Sequence, residues 1–174
     1  GYLPNNMRRG VKTAIENGLN IICGLHSFLS FDPEFSKLAN KHNVTITDLG
    51  KPPDPLPFTK GSWKNRKTPI LLTVGTDCDV GKMTTAWETT NSLVKNGVSA
   101  KFVGTGQTGI LLSGAGIAVD AVVSDFVAGA IENEIDKINE DYDIIIVEGV
   151  FDAIKAGNGI PILGSTLRDG GKLF

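Results

Sequence analysis

The chain has 174 residues, 41% hydrophobic and 21% charged, with a formal net charge of −2. Such a length carries one good core, or one domain with part of another, and the composition is that of an ordinary globular protein. The small charge and the lack of a basic stripe interleaved with aromatics argue against a nucleic-acid partner.

No apolar run approaches the roughly 20 residues that a bilayer span needs, and the N-terminus shows no secretory pattern. Cys23 and Cys78, the two cysteines, fit reduced thiols better than a disulfide framework. A cytoplasmic protein without membrane contact is therefore expected. The chain opens on Gly1, which leaves a processed, tagged or truncated chain open.

Met7, Val11, Ala14 and Ile15 share a helical spacing that Asn17-Gly18 stops. A short buried strand is expected over 19–23. Asp32-Pro33-Glu34 carries a cap, a first-turn proline and an acid at the helix's positive end, so a helix should run from there to about His42. A strand over 44–47 follows. These fifty residues contain α/β units, but too few to close a domain.

Lys51 to Lys67, "KPPDPLPFTKGSWKNRK", holds four of the chain's eight prolines. It cannot sustain a helix or a central strand, and 51–68 reads as a linker. Beyond it come an apolar strand over 69–74, a glycine loop, and a helix from about Lys82 to Asn96 that ends at Gly97. A strand over 99–103, the glycine-rich "GTGQTG", a mostly helical stretch over 119–140 and a buried strand over 143–147 complete the pattern. The alternation predicts an α/β fold: a mostly parallel sheet with helices on both faces. A short helix over 151–156 and a short strand over 160–163 are expected in the tail.

The loop Gly75-Thr76-Asp77-Cys78-Asp79-Val80-Gly81-Lys82, with Met83, Thr84 and Thr85 after it, is the candidate phosphate site. A loop from a buried strand to a helix turns backbone N–H groups toward an anion, and a lysine adds a point charge. The spacing G-x4-G-K-[S/T] is incomplete: Thr76 takes the first glycine position, and Met83 the place of the metal-holding hydroxyl. Thr84 either reaches a metal or serves the helix. Asp77 and Asp79 can help to hold magnesium, and without a metal they oppose a polyphosphate. Cys78 reads as a packing residue more readily than as a nucleophile.

Glu148 emerges at the C-terminal end of the strand in "DYDIIIVEG", the edge where ligands sit in open α/β sheets. Gln107 and Thr108, after the middle strand, offer uncharged groups suited to a small polar substrate. Asp120 reads as a helix cap. Asp125 falls among residues expected to be buried, where an acid needs a partner, which makes it a catalytic candidate beside Glu148. His26 reads as a core histidine and His42 as a surface one.

"GTDCDVGK" with a later strand ending "VEG" resembles the dethiobiotin synthetase group of P-loop enzymes. Nearly all of 2–149 is similar to a bacterial and archaeal family long labelled a domain of unknown function, which includes D-glutamate N-acetyltransferase. The motifs that carry this are "IENGLNIICGLHSFLS", "TVGTDCDVGKMTTAWE", "KFVGTGQTGI" and "VDAVVSDFVAGAIE".

The resemblance implies a Rossmann-like domain, here only its last part over 1–50, joined to a P-loop domain over 69–174. It implies acetyl transfer from acetyl-CoA to a D-amino acid such as D-glutamate; separately, a homo-oligomer is expected. The alternatives are an ATP- and magnesium-dependent ligase or kinase, with Thr84, Asp77 and Glu148 around the metal, and a non-catalytic nucleotide-binding fragment. Two departures are expected to matter. The chain starts inside the family's first domain, and Val150-Phe151-Asp152-Ala153-Ile154 replaces the family's serine- and histidine-containing continuation.

Overall fold

The protein is described by a computed structural model over residues 3–75 and 79–149. Thr76, Asp77 and Cys78, and the elements expected over 151–156 and 160–163, lie outside the described residues. The chain divides into two compact units, Gly1–Lys51 and Pro52–Phe174.

In the first unit, α1 (Asn5–Glu16) and α2 (Pro33–His42) accompany two parallel strands, β1 (Ile21–Cys23) and β2 (Ile46–Asp48). Apolar stripes at helical spacing explain the core, where Ile15, Cys23, Leu29 and Phe35 cluster. Asp32 caps α2, accepting from the N–H groups of Glu34 and Phe35, and Asn43 ends that helix in the left-handed conformation. The Asp48 carboxylate accepts from the N–H groups of Leu29 and Ser30 at 2.9 and 3.0 Å, tying the turn over 29–31 to β2. Burial pushes the Cys23 thiol up, as suits a core residue. His26 is exposed in the loop after β1, not in the core as its apolar neighbours suggest.

The second unit is built on β3 (Ile70–Leu72), β4 (Ala100–Val103) and β5 (Ile144–Val147), parallel and in the order β3-β5-β4. The last strand among the described residues is therefore central. Its side chains alternate between two cores. Ile145 and Val147 join Val103 and the apolar residues of α5 (Ser124–Asp136), while Ile146 joins Ala100, Phe102 and Ala86 of α3 (Lys82–Lys95). A strand buried on both faces explains the unbroken apolar run "IIIV".

Two stretches differ from the sequence expectation. The helix expected over 119–140 is a 3-10 turn, Val119–Ala121, then extended Val122 and Val123, and only then α5. Val122 is buried, and β-branched residues tolerate the extended break well. The proline-rich segment read as a linker lies against α5. Glu132 of α5 accepts from the N–H groups of Lys60 and Ser62 and from the Ser62 hydroxyl, and Phe58 stacks on Phe126 with ring centroids 4.5 Å apart. Backbone donors with no partner strand find a buried carboxylate instead.

Candidate functional site

The strands of the second unit end at one edge, where a cleft of about 550 Å³ is lined by 79 and 81–84, by 105–108, by 119–120 and by 148–149. Gly81 opens α3 with φ 93°, a left-handed conformation that side chains resist. The first-turn N–H groups of a helix have no intrahelical partner. At α3 the cap residue, Gly81, has no side chain to bond them, and no acid stands in the first turn. Lys82 follows at once. Gly75 lies under the returning chain: a Cβ there would meet Val80 Cγ2 at 2.6 Å and Lys82 Cγ at 3.0 Å. Asp79 also carries a positive φ of 55°. The described part of the loop thus curls back over its own strand, the shape a phosphate nest needs.

Met83, in the hydroxyl position, packs against the cluster of Ala86, Ala100, Phe102 and Ile146. Thr84 is exposed and lines the cleft; Thr85 is exposed but does not line it, and its N–H donates to the Gly81 carbonyl at 2.9 Å. Val80 is exposed. Among the described residues no group of three His, Cys, Asp or Glu is placed to hold a metal ion.

At the second wall of the cleft the glycine-rich "GTGQTG" runs into a helix that its glycines gave no reason to expect. Gln107 opens a helix, α4 (Gln107–Ser113), that glycines hid in the sequence. Gly109 is small for a packing reason, since a Cβ there would meet Glu148 Oε2 at 2.5 Å and Gly104 Cα at 3.0 Å. Glu148 Oε2 accepts from the Thr105 N–H at 2.9 Å, and the Thr105 hydroxyl donates to the Glu148 carbonyl at 3.1 Å. Glu148, Gln107 and Thr108 therefore share the cleft with Gly81, Lys82 and Thr84.

Asp125 does not join them. It is exposed in the first turn of α5, so the expectation of a buried acid there is overturned. A helix start places acids toward solvent and the positive helix end, and an apolar stripe in sequence does not reveal that rotation. The structure brings in two residues the sequence left aside. One is Thr105, 3% exposed, which faces Glu148. The other is Asp120, which caps no helix and sits on the cleft wall with Oδ2 3.4 Å from Gln107 Nε2. The one sequence signal for Asp120 was an acid beside buried apolar residues.

A parallel sheet with a strand, a curled loop and a helix start bearing lysine defines an α/β protein of the P-loop class. The sequence matches a Rossmann-like domain of unknown function, DUF1611_N, over residues 1–52, and a P-loop domain of unknown function, DUF1611_C, over 57–150. The chain belongs to the DUF1611 family.

It is 41% identical over 150 residues to a D-glutamate N-acetyltransferase from a Pseudoalteromonas species, a match covering 86% of this chain and 45% of that one. A D-glutamate N-acetyltransferase from Tritonibacter scottomollicae is 35% identical over 149 residues, covering 86% and 44%. The crystal structure of a DUF1611 family protein from Anabaena variabilis superposes with a TM-score of 0.80 at 33% identity, covering 95% of this chain and 49% of that one. The chain thus spans about half the length of the relatives it matches. Among the described residues no helix is long and apolar enough to cross a membrane.

Proposed function

We propose that the cleft holds the phosphates of acetyl-CoA and that the protein takes part in acetyl transfer to the amine of a D-amino acid such as D-glutamate. The observation that carries this reading is the packing of Met83 against the core at a helix start capped by Gly81, which has no side chain. Acyl transfer leaves the cofactor's phosphates intact, so amides and Lys82 suffice to grip them. Phosphoryl transfer leans instead on a metal held by a hydroxyl at that position. The names of two relatives at 41% and 35% identity support the same chemistry.

In such a transfer an N–C bond forms at the thioester carbonyl, the C–S bond breaks, and the amine must first lose a proton. Glu148, at the rim of the same cleft, is our proton acceptor. Gln107 and Thr108 are placed to hold the acceptor's polar groups.

A magnesium-dependent ATP reaction is the second reading, favoured by Thr84, Asp79 and Glu148 lining one cleft. Calorimetry with acetyl-CoA and with ATP, each with magnesium and with EDTA, followed by acetylation of D-glutamate, separates the two. Acetyl-CoA binding that ignores EDTA, with N-acetyl product formed, is expected. ATP binding that EDTA abolishes, without acetyl-CoA binding, would overturn the proposal.

A further inference from the structure

We infer that Thr105 and Gly109 are positioning residues: together they hold the Glu148 carboxylate in one orientation at the cleft. What the held carboxylate does there rests on the acetyl-transfer reading above; the seat itself rests on geometry. The backbone of Glu148 is anchored on both sides. Its N–H donates to the Val103 carbonyl at 3.0 Å, and the next N–H, of Gly149, to the Thr73 hydroxyl at 3.3 Å. The Glu148 carbonyl accepts from the Thr105 hydroxyl at 3.1 Å. Only the side chain is then left to be placed, and Thr105 places it too, its N–H lying 2.9 Å from Oε2. Thr105 is 3% exposed, so water does not readily replace that donor.

Gly109 completes the seat from the other side. It lies inside α4 without a left-handed backbone, so no turn requires a glycine there. Alanine is the better helix former at such a position. Room explains the glycine: a Cβ would stand 2.5 Å from Glu148 Oε2, 3.0 Å from Gly104 Cα and 3.3 Å from Phe102 Cζ. The oxygen that Thr105 holds is thus the one that Gly109 admits. A group that takes a proton must stand within hydrogen-bond reach of it, and misplacement by about 1 Å can cost about a hundredfold in rate. With Oε2 held, Oε1 is the oxygen left to meet the amine.

The test is a kinetic cycle on the whole chain with acetyl-CoA and D-glutamate. It compares the parent, Thr105→Val, Thr105→Ser and Gly109→Ala, with the valine and alanine changes repeated on Glu148→Gln. Thr105→Val and Gly109→Ala should each lower kcat about ten- to a hundredfold and leave KM for acetyl-CoA within about twofold. Thr105→Ser, which keeps the hydroxyl, should recover most of the loss. On Glu148→Gln neither change should lower kcat more than about twofold, since no base is left to place. Should Gly109→Ala fail to fold, Thr105→Val and its serine control carry the test. Losses that persist in full on Glu148→Gln, or an unchanged kcat in either single variant, overturn the inference.

A second readout does not need turnover. The Thr105 amide proton, followed by NMR, should move upfield in Gly109→Ala and in Glu148→Gln, because its charge-assisted bond is lengthened or weakened. If the parent transfers no acetyl group, the proposed reaction falls alone and this proton decides the seat. Unmoved in either folded variant, it overturns the inference.

Discussion

Glu148 and Thr105 bind each other twice: the Thr105 N–H donates to the Glu148 carboxylate and the Thr105 hydroxyl to the Glu148 carbonyl. The acid thus has a scaffolding duty besides any chemistry, and substitution can separate the two. Glu148→Gln keeps an acceptor oxygen and should cost less than about 1 kcal/mol, while Glu148→Ala strands a buried N–H and should cost about 2 kcal/mol. If Glu148 takes the proton, Glu148→Gln should lose about a hundredfold or more in turnover at near-parent stability. Urea unfolding and an acetylation assay on the same preparations check this, and unchanged turnover in Glu148→Gln would remove it as the base.

Lys82→Ala should weaken acetyl-CoA binding by about ten- to a hundredfold, since a charge-assisted phosphate contact is lost. Raising salt should weaken the parent more than the variant, because a screened charge matters only where it is present. Calorimetry at two ionic strengths reads both effects. Equal affinities for parent and variant would take the loop out of the site.

Gly129→Ala tests the seat of the proline-rich segment. A Cβ at Gly129 would fall 2.6 Å from Phe58 C and 2.7 Å from Thr59 N, backbone atoms that cannot swing aside. Alanine gains about 1 kcal/mol of helix propensity, yet forced overpacking costs typically about 1–3 kcal/mol. Net destabilisation is expected. A more stable Gly129→Ala protein would mean that the segment is not seated there in solution.

Acid should loosen the same contact through Glu132. Burial pushes its carboxyl up, but the N–H groups of Lys60, Ser62 and Gly61 and the Ser62 hydroxyl outweigh burial and hold it below the usual glutamate range. A carboxyl lowered in the folded state contributes stability that is complete above the unfolded value of about 4.3 and disappears as pH falls through the lower folded value. Between about pH 5 and pH 3 the parent should therefore lose more unfolding free energy than Glu132→Gln. Parallel losses in the two proteins would contradict this.

In the first unit, Asp32 both caps α2 and pairs with Arg8 at 2.7 Å. The Arg8 hydrogen bond leads the effects that hold this carboxyl below its usual range. Asp32→Ala should cost about 1–2 kcal/mol, whereas Asp32→Asn keeps a good cap and should cost less than half of that. Thermal unfolding of the two variants side by side decides between cap and ion pair as the larger contribution.

Local signals made most of the elements legible in the sequence. The Asp32 cap, the stop at Asn17-Gly18, the apolar run of β5 and the glycine-lysine start of α3 are each decided within a few neighbouring residues, and each is found where the pattern put it. Such signals do not say which strands pair, so only the tertiary structure placed β5 between β3 and β4. It also decided that Gly109 is small because Glu148 lies against it, 39 positions along the chain. Asp120 and Asp125 look alike in the sequence, yet the break at Val122 and Val123 rotates the second away from the cleft and leaves the first on its wall. Helix starts, caps and buried runs follow from short-range sterics and hydrogen bonding, whereas the company a carboxylate keeps is set by chain segments that meet only when the sheet closes.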